Sequence, residues 1–346
     1  MPLRHGDLPE RGAHGPTPDL ALPAYLDNEN EQARAVYARY GAATYAASLL
    51  EVEFIHVLAT IEQQRAAASG RPLRQDPWEK RYANGTMGTF LDALKGKKLL
   101  DSLPGLAADL AAAVEVRNHL VHHYWWQEFG EAFSSVGRAK MVSHLEEQRA
   151  FFDRLTTRVR EGITLPLNPP AGTHRQLPCE DEQTREMYGR FGVAVYFADV
   201  LASGLVCVLA AAEVERAQAG RYRIDDPWDR MYADRKLTMG ALLNQVKEGG
   251  HLAAHQDLIG PLDAALASRN ELAHHFWVSR IEDSFSEAGR DRLVEDLEQR
   301  RQTFEDVNNA VQERIAAPLV ETLGVSREQT EGIERAMRFR EENKYR

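Results

Sequence analysis

The feature that most constrains this chain is a repeat within it. RNHLVHHYWW begins at Arg117 and RNELAHHFWV begins at Arg269, and the first histidines of the two motifs, His122 and His274, lie 152 positions apart. Further blocks match in the same order, among them DPWEKRY with DPWDRMY, TMGTFLDALK with TMGALLNQVK, and FSSVGR with FSEAGR. The offset drifts by one or two positions, as expected when insertions and deletions fall in loops. The sequence therefore predicts two homologous domains that arose by internal duplication.

The repeat and the proline content predict the domain boundaries. Each matched unit has about 130 residues, an ordinary size for one domain, and a Pro-rich stretch, ITLPLNPPAGTHRQLPCE, separates the two units. The predicted organisation is a flexible N-terminal tail at 1–34, a first unit at 35–162, a linker at 163–185, a second unit at 186–315 and a C-terminal helical tail at 316–346.

Residue spacing predicts helices throughout both units. Apolar residues recur at every fourth position before Arg117 and again before Arg269, which is the pattern of a helix with one buried face. The DPW motifs place an acid and a proline where a helix N-cap and first turn need them, so helices are expected to start at Asp76 and Asp226. Alternating strand patterns are absent from the sequence. We therefore expect an all-α fold of two tandem helical bundles.

One apolar segment is long enough to span a bilayer but is expected to be a core helix. FGVAVYFADVLASGLVCVLAAA, which begins at Phe191, exceeds the roughly 20 residues that a bilayer requires. Asp199 interrupts it, and the matching run of the first unit carries Glu51, Glu53 and His56, which would be costly in lipid. Two cysteines at unmatched positions imply no disulfide framework. We expect no membrane segment and a cytoplasmic location.

The repeated Arg-Asn-x-x-x-His motif is the candidate functional site. An arginine fork binds phosphate and a histidine can transfer protons near neutral pH, so the pair suits phosphodiester chemistry in a cleft. Asn118 lies four residues before His122 and shares its helix face, where it can orient the ring. The structural alternative is an arginine paired with a carboxylate and a histidine packed between helices. Retention of the motif in both units favours the functional interpretation.

The same residues carry a resemblance to the HEPN superfamily, whose small helical domains often act as metal-independent ribonucleases. RNHLVHHYWW and RNELAHHFWV resemble its R-x(4–6)-H signature, and the TMG and F-S-x-x-G-R stretches resemble its helical frame. The resemblance covers residues 35–162 and 186–315. In that family two domains pair about a two-fold axis and both contribute to one cleft. A tandem chain would supply both halves itself, as a monomer or as a homodimer.

The resemblance implies catalytic roles for the paired motifs. His122 and His274 would act as general base and acid on the ribose 2′-hydroxyl and the leaving 5′-oxygen. Arg117 and Arg269 would stabilise the charge that develops on the phosphoryl group.

Four neighbouring residues complete the candidate site. Asn118 and Asn270 match the polar residue that follows the arginine in the family motif and are assigned to the catalytic set. His123 and His275 also satisfy the permitted spacing, so they are alternates for the catalytic histidines.

The aromatic residues and the net charge bear on how RNA would bind. Trp125 and Trp277 follow the motifs and are candidates to stack an RNA base, with a core position as the alternative. The formal net charge of −10 disfavours broad nucleic-acid affinity, so RNA is expected only in the inter-domain cleft. DNA is not expected as a substrate because it lacks the 2′-hydroxyl nucleophile.

A metal site and a cofactor site are both weakly indicated. Glu53 and His56 form an E-x-x-H pair of the kind that di-iron bundles use twice, but Gly204 and Cys207 stand at the matching positions. The chain has no C-x-x-C, H-E-x-x-H, Gly-rich phosphate loop or nucleophile elbow. We expect no metal and no cofactor.

Together these features predict a metal-independent endoribonuclease with one composite Arg/His site. A toxin or defence effector that an inhibitor or antitoxin protein restrains is the biological setting this suggests. The alternative is a non-catalytic helical scaffold that binds a nucleotide or a protein in the same cleft.

Overall fold

The computed structural model describes residues 31–70, 85–128, 130–167, 181–220 and 238–323. These residues form helices joined by short turns, and no strand occurs among them, so the predicted all-α class is confirmed. Both DPW motifs, at 76–78 and 226–228, lie outside the described residues, and the predicted helix starts there stay predictions.

In the described part of the first unit one long helix is followed by five shorter ones, and a π turn joins the last two. They are α1 (Glu31–Ala68), α2 (Met87–Gly96), α3 (Leu106–His122), α4 (Tyr124–Glu128), α5 (Ser135–Val159), the π turn (Arg160–Thr164) and α6 (Leu165–Leu167).

In the second unit the elements follow in the same order, and the first five match those of the first unit in length to within one residue. They are α7 (Glu182–Gly220), α8 (Met239–Glu248), α9 (Ile259–His274), α10 (Phe276–Arg280), α11 (Glu287–Val311), a second π turn (Gln312–Ala316) and α12 (Ala317–Thr322).

The TMG motifs are helix starts. The side chain of Thr86 accepts a hydrogen bond from a backbone N–H three residues later and caps α2, and Thr238 caps α8 in the same way. A Cβ at Gly88 would meet Val114 of α3 at 3.7 Å, which is ordinary van der Waals contact. An alanine would therefore fit at this position, so the glycine does not determine how closely α2 and α3 approach.

The F-S-x-x-G-R motifs are also helix starts. Ser134 accepts a hydrogen bond from the backbone N–H of Gly137 at 2.9 Å and caps α5. A Cβ at Gly137 would lie 2.1 Å from the carbonyl oxygen of Glu131, so only glycine fits this turn. Arg138 donates to a carbonyl inside the turn, and the same three contacts recur before α11. The motif shapes the entry to a helix in both units.

The two long helices pack directly on one another. A Cβ at Gly41 in α1 would lie 2.1 Å from the carbonyl oxygen of Tyr188, and a Cβ at Gly192 in α7 would lie 2.4 Å from that of Tyr37. Any side chain at either glycine would therefore collide with the backbone of the other helix. On their outer sides α5 covers α1 and α11 covers α7. One continuous cluster of buried hydrophobic side chains runs through both units.

In the part of the chain that the structure describes, two helices are long and apolar enough to cross a membrane, judged by length and composition. They are α1 and α7, and 78% and 83% of their most apolar windows are buried inside the fold. A core helix buries its apolar side chains in this way, whereas a helix facing lipid would expose them. The cytoplasmic location stays a prediction.

The helices extend beyond the domain boundaries that the sequence predicted. Residues 31–34 belong to α1, and Ala33 is already buried, so the predicted tail is too long by these residues. Residues 163–167 prolong α5, and α7 begins at Glu182, so both ends of the predicted linker are helical. Pro166 suggested a break, but the π turn before it relieves the clash that a proline ring makes in a regular helix.

The close contact of α1 and α7 predicts a strong effect of one added methyl group. Gly41→Ala should lower the free energy of unfolding by at least about 2 kcal/mol, because the backbone of α7 cannot move aside as a side chain can. Gly189→Ala, in the same contact region but with open space around its Cα, should leave stability unchanged or raise it by about 0.5–1 kcal/mol. Urea unfolding of both variants measures the difference, and equal stabilities would contradict the packing described.

Candidate functional site

The arginine of the first motif reaches into the second unit. Arg117, near the end of α3, donates from Nη2 to the carbonyl oxygen of Ala273 at 2.8 Å, and both Nη atoms lie 3.3 Å from Nδ1 of His274. An arginine can only donate, so Nδ1 of His274 is the acceptor. A neutral ring in this position must therefore carry its proton on Nε2.

The arginine of the second motif makes the reciprocal contact. Nη2 of Arg269, near the end of α9, donates to the carbonyl oxygen of Val121 and to Nδ1 of His122, both at 3.1 Å. The rings of His122 and His274 lie 5.2 Å apart between centroids. The structure thus brings the four principal predicted residues into one Arg–His cluster, formed by both arginines and both of these histidines.

The arginines of this cluster are buried, and the histidines are half-buried. Arg117 is 5% exposed and Arg269 is 7% exposed. Two small cavities beside them each have room for about one water molecule. The expectation that the arginines line an open cleft is therefore wrong for this state. Each guanidinium is held inside by the carbonyl end of the opposite helix, where the helix dipole favours a cation.

The pKa values of His122 and His274 lie well below that of a free imidazole. Burial is the largest cause for His122, followed by the charge of Arg269, and its pKa falls to about 3. Burial is again the largest cause for His274, followed by the charge of Arg117, and the pKa of His274 falls to about 4. Both rings are therefore neutral at pH 7, whereas the sequence suggested groups that titrate near neutral pH. Burial of the motif, which no local pattern reveals, accounts for the difference.

The two asparagines are not equivalent. Oδ1 of Asn118 lies 3.5 Å from Nη1 of Arg117, and among the contacts of the described residues none joins Asn118 to His122. The predicted Asn–His contact is wrong because the arginine of the opposite unit takes the ring nitrogen instead. Asn270 is exposed. Neither asparagine orients a histidine in this structure.

The alternate histidines flank the cluster. The ring of His123 lies 6.1 Å from that of His122, and the ring of His275 lies 5.9 Å from that of His274. Both are half-buried. Burial lowers the pKa of His275, and the charge of Arg117 adds to the effect. These rings stay candidates for proton transfer because they adjoin the principal pair.

The tryptophans after the motifs are not available to stack RNA. Trp125 is 3% exposed and Trp277 is 2% exposed. Trp125 packs on Tyr37 and Tyr196 at 5.3 and 5.4 Å between ring centroids, and Trp277 packs on Phe191 at 4.7 Å. The stacking prediction is wrong because the chain turns inward after α3 and α9, onto the aromatic faces of the long helices.

Sequence reasoning missed two buried carboxylates beside the arginines. Glu51 of α1 and Asp199 of α7 are 2% and 7% exposed. Burial raises the pKa of each to about 7, opposed by the charge of Arg117 for Glu51 and by that of Arg269 for Asp199. Each was visible as an acid within an apolar run, a signal used only to argue against a membrane.

The E-x-x-H pair of the first unit has a structural explanation. Nε of Arg160 donates to Oε1 of Glu53 at 2.7 Å, and the Thr164 hydroxyl donates to Oε2 at 3.1 Å, while His56 is exposed. Within the described ranges, no group of three or more His, Cys, Asp or Glu side chains is arranged to hold a metal ion. Glu53 thus ties α1 to the π turn that follows α5.

Comparison with known proteins gives no relative. No protein-family model, curated protein or solved structure matches this chain.

The reciprocal contacts predict paired changes in histidine titration. Removing the charge with Arg117→Gln should raise the pKa of His274 more than that of His122, and Arg269→Gln should do the opposite, because each ring adjoins the arginine of the other unit. Imidazole ¹⁵N NMR titration measures both values and should also give the Nε2–H tautomer in the unmodified protein. Arg160→Gln, remote from the cluster, is the control. Equal effects of the two arginine substitutions on both rings would contradict the arrangement.

Proposed function

We propose that this chain is a metal-independent endoribonuclease of the HEPN type, with one composite site formed by the Arg–His cluster. The observation that carries the proposal is the reciprocal contact, in which the arginine of each motif meets the histidine of the other. Two titratable rings 5.2 Å apart, each beside a fixed positive charge, suit general acid–base chemistry on a phosphodiester.

We further propose that the two units arose by duplication and pair about a pseudo-two-fold axis. The repeated sequence blocks support the duplication. Reciprocal contacts at matching positions support the pairing, since the glycine of each long helix meets a tyrosine carbonyl of the other and the motifs exchange arginines. On this proposal one chain completes the site without a second subunit.

The proposed reaction is an in-line attack of the ribose 2′-hydroxyl on the adjacent phosphorus. One histidine accepts the 2′-hydroxyl proton, the new oxygen–phosphorus bond forms, and the bond to the 5′-oxygen breaks. The other histidine, which has taken a second proton from water because the bound phosphate raises its pKa, donates one proton to that oxygen as it leaves and returns to the neutral form. The products are a 2′,3′-cyclic phosphate and a free 5′-hydroxyl, and the arginines stabilise the charge on the phosphoryl oxygens.

The resting geometry requires one rearrangement before this reaction. Both Nδ1 atoms accept hydrogen bonds from arginines, so neither ring offers a free lone pair as a base. An arginine that moves from the ring onto the substrate phosphate frees that lone pair, and the negative phosphate raises the pKa of the ring. Substrate binding would thus generate the base that the resting cluster lacks.

RNA is the proposed partner, bound only at this cluster. The formal net charge of −10 supports local rather than broad RNA contact. A role as a toxin or defence effector, restrained by an inhibitor or antitoxin protein, completes the proposal and rests on the sequence resemblance. The proposed cytoplasmic location rests on the two unmatched cysteines, which imply no disulfide framework.

A non-catalytic scaffold is the second candidate, and the buried state of the arginines favours it. Each guanidinium donates to a carbonyl oxygen of the opposite unit, which is enough to hold the two helix ends together. A protein that needs only this contact would bind a nucleotide or a protein without cutting RNA.

Cleavage without metal separates the two candidates. The purified protein should cut single-stranded RNA in excess EDTA, leave 2′,3′-cyclic phosphate ends and spare DNA. His122→Ala with His274→Ala should abolish cleavage, and Arg117→Lys with Arg269→Lys should reduce kcat by about 100-fold, because lysine keeps the charge and loses the fork. Lysine replaces arginine here because alanine would leave a buried carbonyl without its donor.

Control variants show how a loss of cleavage should be interpreted. His56→Ala, at an exposed histidine of α1, should cleave at the normal rate. Undiminished cleavage by the double histidine variant would move the roles to His123 and His275. If the unmodified protein cuts no RNA and instead binds a nucleotide or protein at the cluster, the scaffold is correct.

A further inference from the structure

The buried charges of the described residues leave two carboxylates without an assigned role. Three buried side chains in these ranges are acidic, and Glu53 among them is paired with Arg160. Glu51 and Asp199 remain. The buried arginines include Arg138, which donates to a glutamine side chain and a carbonyl oxygen, and the two arginines of the Arg–His cluster. A buried charge is costly unless an opposite charge lies near it. Each of the two acids therefore needs a nearby positive charge, and each cluster arginine needs a nearby negative charge.

The alignment of the long helices places the two acids on the same face. At the offset of 151 positions that aligns α1 with α7, Asp199 matches Ser48 and Glu51 matches Ala202. Positions three apart in a helix are neighbours on one face. Each long helix therefore carries one acid on this face, at alternative positions one turn apart, with a small residue at the other position.

This face is directed towards the cluster arginines. Ser48, one turn before Glu51, lines one of the small cavities together with Arg117, and Val195, one turn before Asp199, lines the other together with Arg269. The charge of Arg117 lowers the pKa of Glu51, and the charge of Arg269 lowers that of Asp199. Each acid thus lies on the helix face that is directed towards one cluster arginine.

We propose that these two carboxylates are positioning residues that each balance the charge of one cluster arginine and hold it against the opposite histidine. Glu51 acts on Arg117. Asp199 acts on Arg269. The effect on catalysis rests on the proposed ribonuclease function, whereas the effect on the arginines themselves does not.

The protonation of the two acids makes the positioning of the cluster arginines dependent on pH. Glu51 faces its arginine from α3 and the Met87 backbone from α2, and Asp199 faces its arginine from α9 and the buried Tyr40 from α1. Burial raises the pKa of both carboxyl groups to about 7, so each is charged above that pH and neutral below it. The arginines should be held more firmly as the pH rises through 7.

Arginine NMR tests the inference without reference to catalysis. In ¹⁵N-labelled protein at pH 8, Glu51→Gln should speed the exchange of the Arg117 Nε–H with water at least about tenfold, and Asp199→Asn should do the same for Arg269. In the unmodified protein both exchange rates should change with a midpoint near pH 7, and each substitution should remove the midpoint for its own arginine. If RNA is cut, each variant should also lose about 10- to 100-fold in kcat/KM, because an arginine without its carboxylate is no longer positioned to move from the histidine onto the phosphate.

Moving each acid by one helical turn, to the position that the other long helix uses, should restore the positioning of the arginine. Ser48→Asp with Glu51→Ala gives α1 the arrangement of α7, and Asp199→Ser with Ala202→Glu gives α7 the arrangement of α1. Each double variant should restore slow exchange of its arginine and any cleavage that the neutral variant lost. A purely structural role for the carboxyl group at its own position would not be rescued from the neighbouring turn.

A neighbouring acid is the matched control. Glu53→Gln removes a buried carboxylate from the same helix but one that pairs with Arg160, so exchange of Arg117 should not change. Unchanged arginine exchange in Glu51→Gln and Asp199→Asn would overturn the inference, and so would failure of both double variants to restore slow exchange. If the unmodified protein cuts no RNA, the ribonuclease proposal is wrong, but the inference about arginine positioning is still tested by the exchange rates.

Discussion

The contact between the backbones of α1 and α7, made where Gly41 and Gly192 carry no side chains, determines where the other helices lie. Because the two long helices touch directly, their remaining apolar faces are covered by α5 and α11 on the outside and by the ends of α3 and α9 near the crossing. The Tyr40 hydroxyl of α1 donates to the carbonyl oxygen of Leu120 at 2.9 Å and fixes the end of α3 there. The meeting of two motifs is therefore a consequence of helix packing, since nothing within one unit brings an arginine to a histidine of the other.

The helices were predictable from the sequence because their signals are local. Apolar spacing acts within a few residues, and the all-α class that it predicted is confirmed. The threonine and serine caps that the structure shows are equally local. The neighbours of the motif residues were not predictable in the same way. Arg117 and His274 are 157 residues apart in the chain, and the inward turn that buries Trp125 depends on Tyr196 of the other unit. A repeat indicates that two units are alike, but it carries no information on which surfaces they share.

The buried acids are an intermediate case, because the sequence holds their signal in a form that needs the structure to interpret. Glu51 and Asp199 do not align with each other, so a search for matched residues passes over both. Once α1 and α7 are known to be helices that present equivalent faces to the arginines, a shift of three residues becomes a move of one turn on one face. The need to balance charges in a dry interior then pairs each acid with an arginine. Residue-by-residue alignment of the two units does not reveal this pairing.

On the proposed function, the cluster arginines would serve stability and chemistry in opposite ways. While they cap the carbonyl ends of α3 and α9 they join the two units, and an arginine that leaves a buried carbonyl without a donor costs about 1–3 kcal/mol. Only a ligand that offers stronger acceptors than a carbonyl and a neutral imidazole can draw the guanidinium away, and a phosphate anion does so through charged, bidentate hydrogen bonds. In the proposed reaction the same displacement would expose the histidine lone pair. Weakly bound polar molecules would leave the cluster closed, so on this proposal the buried position of the arginines would select for phosphate before any chemistry begins.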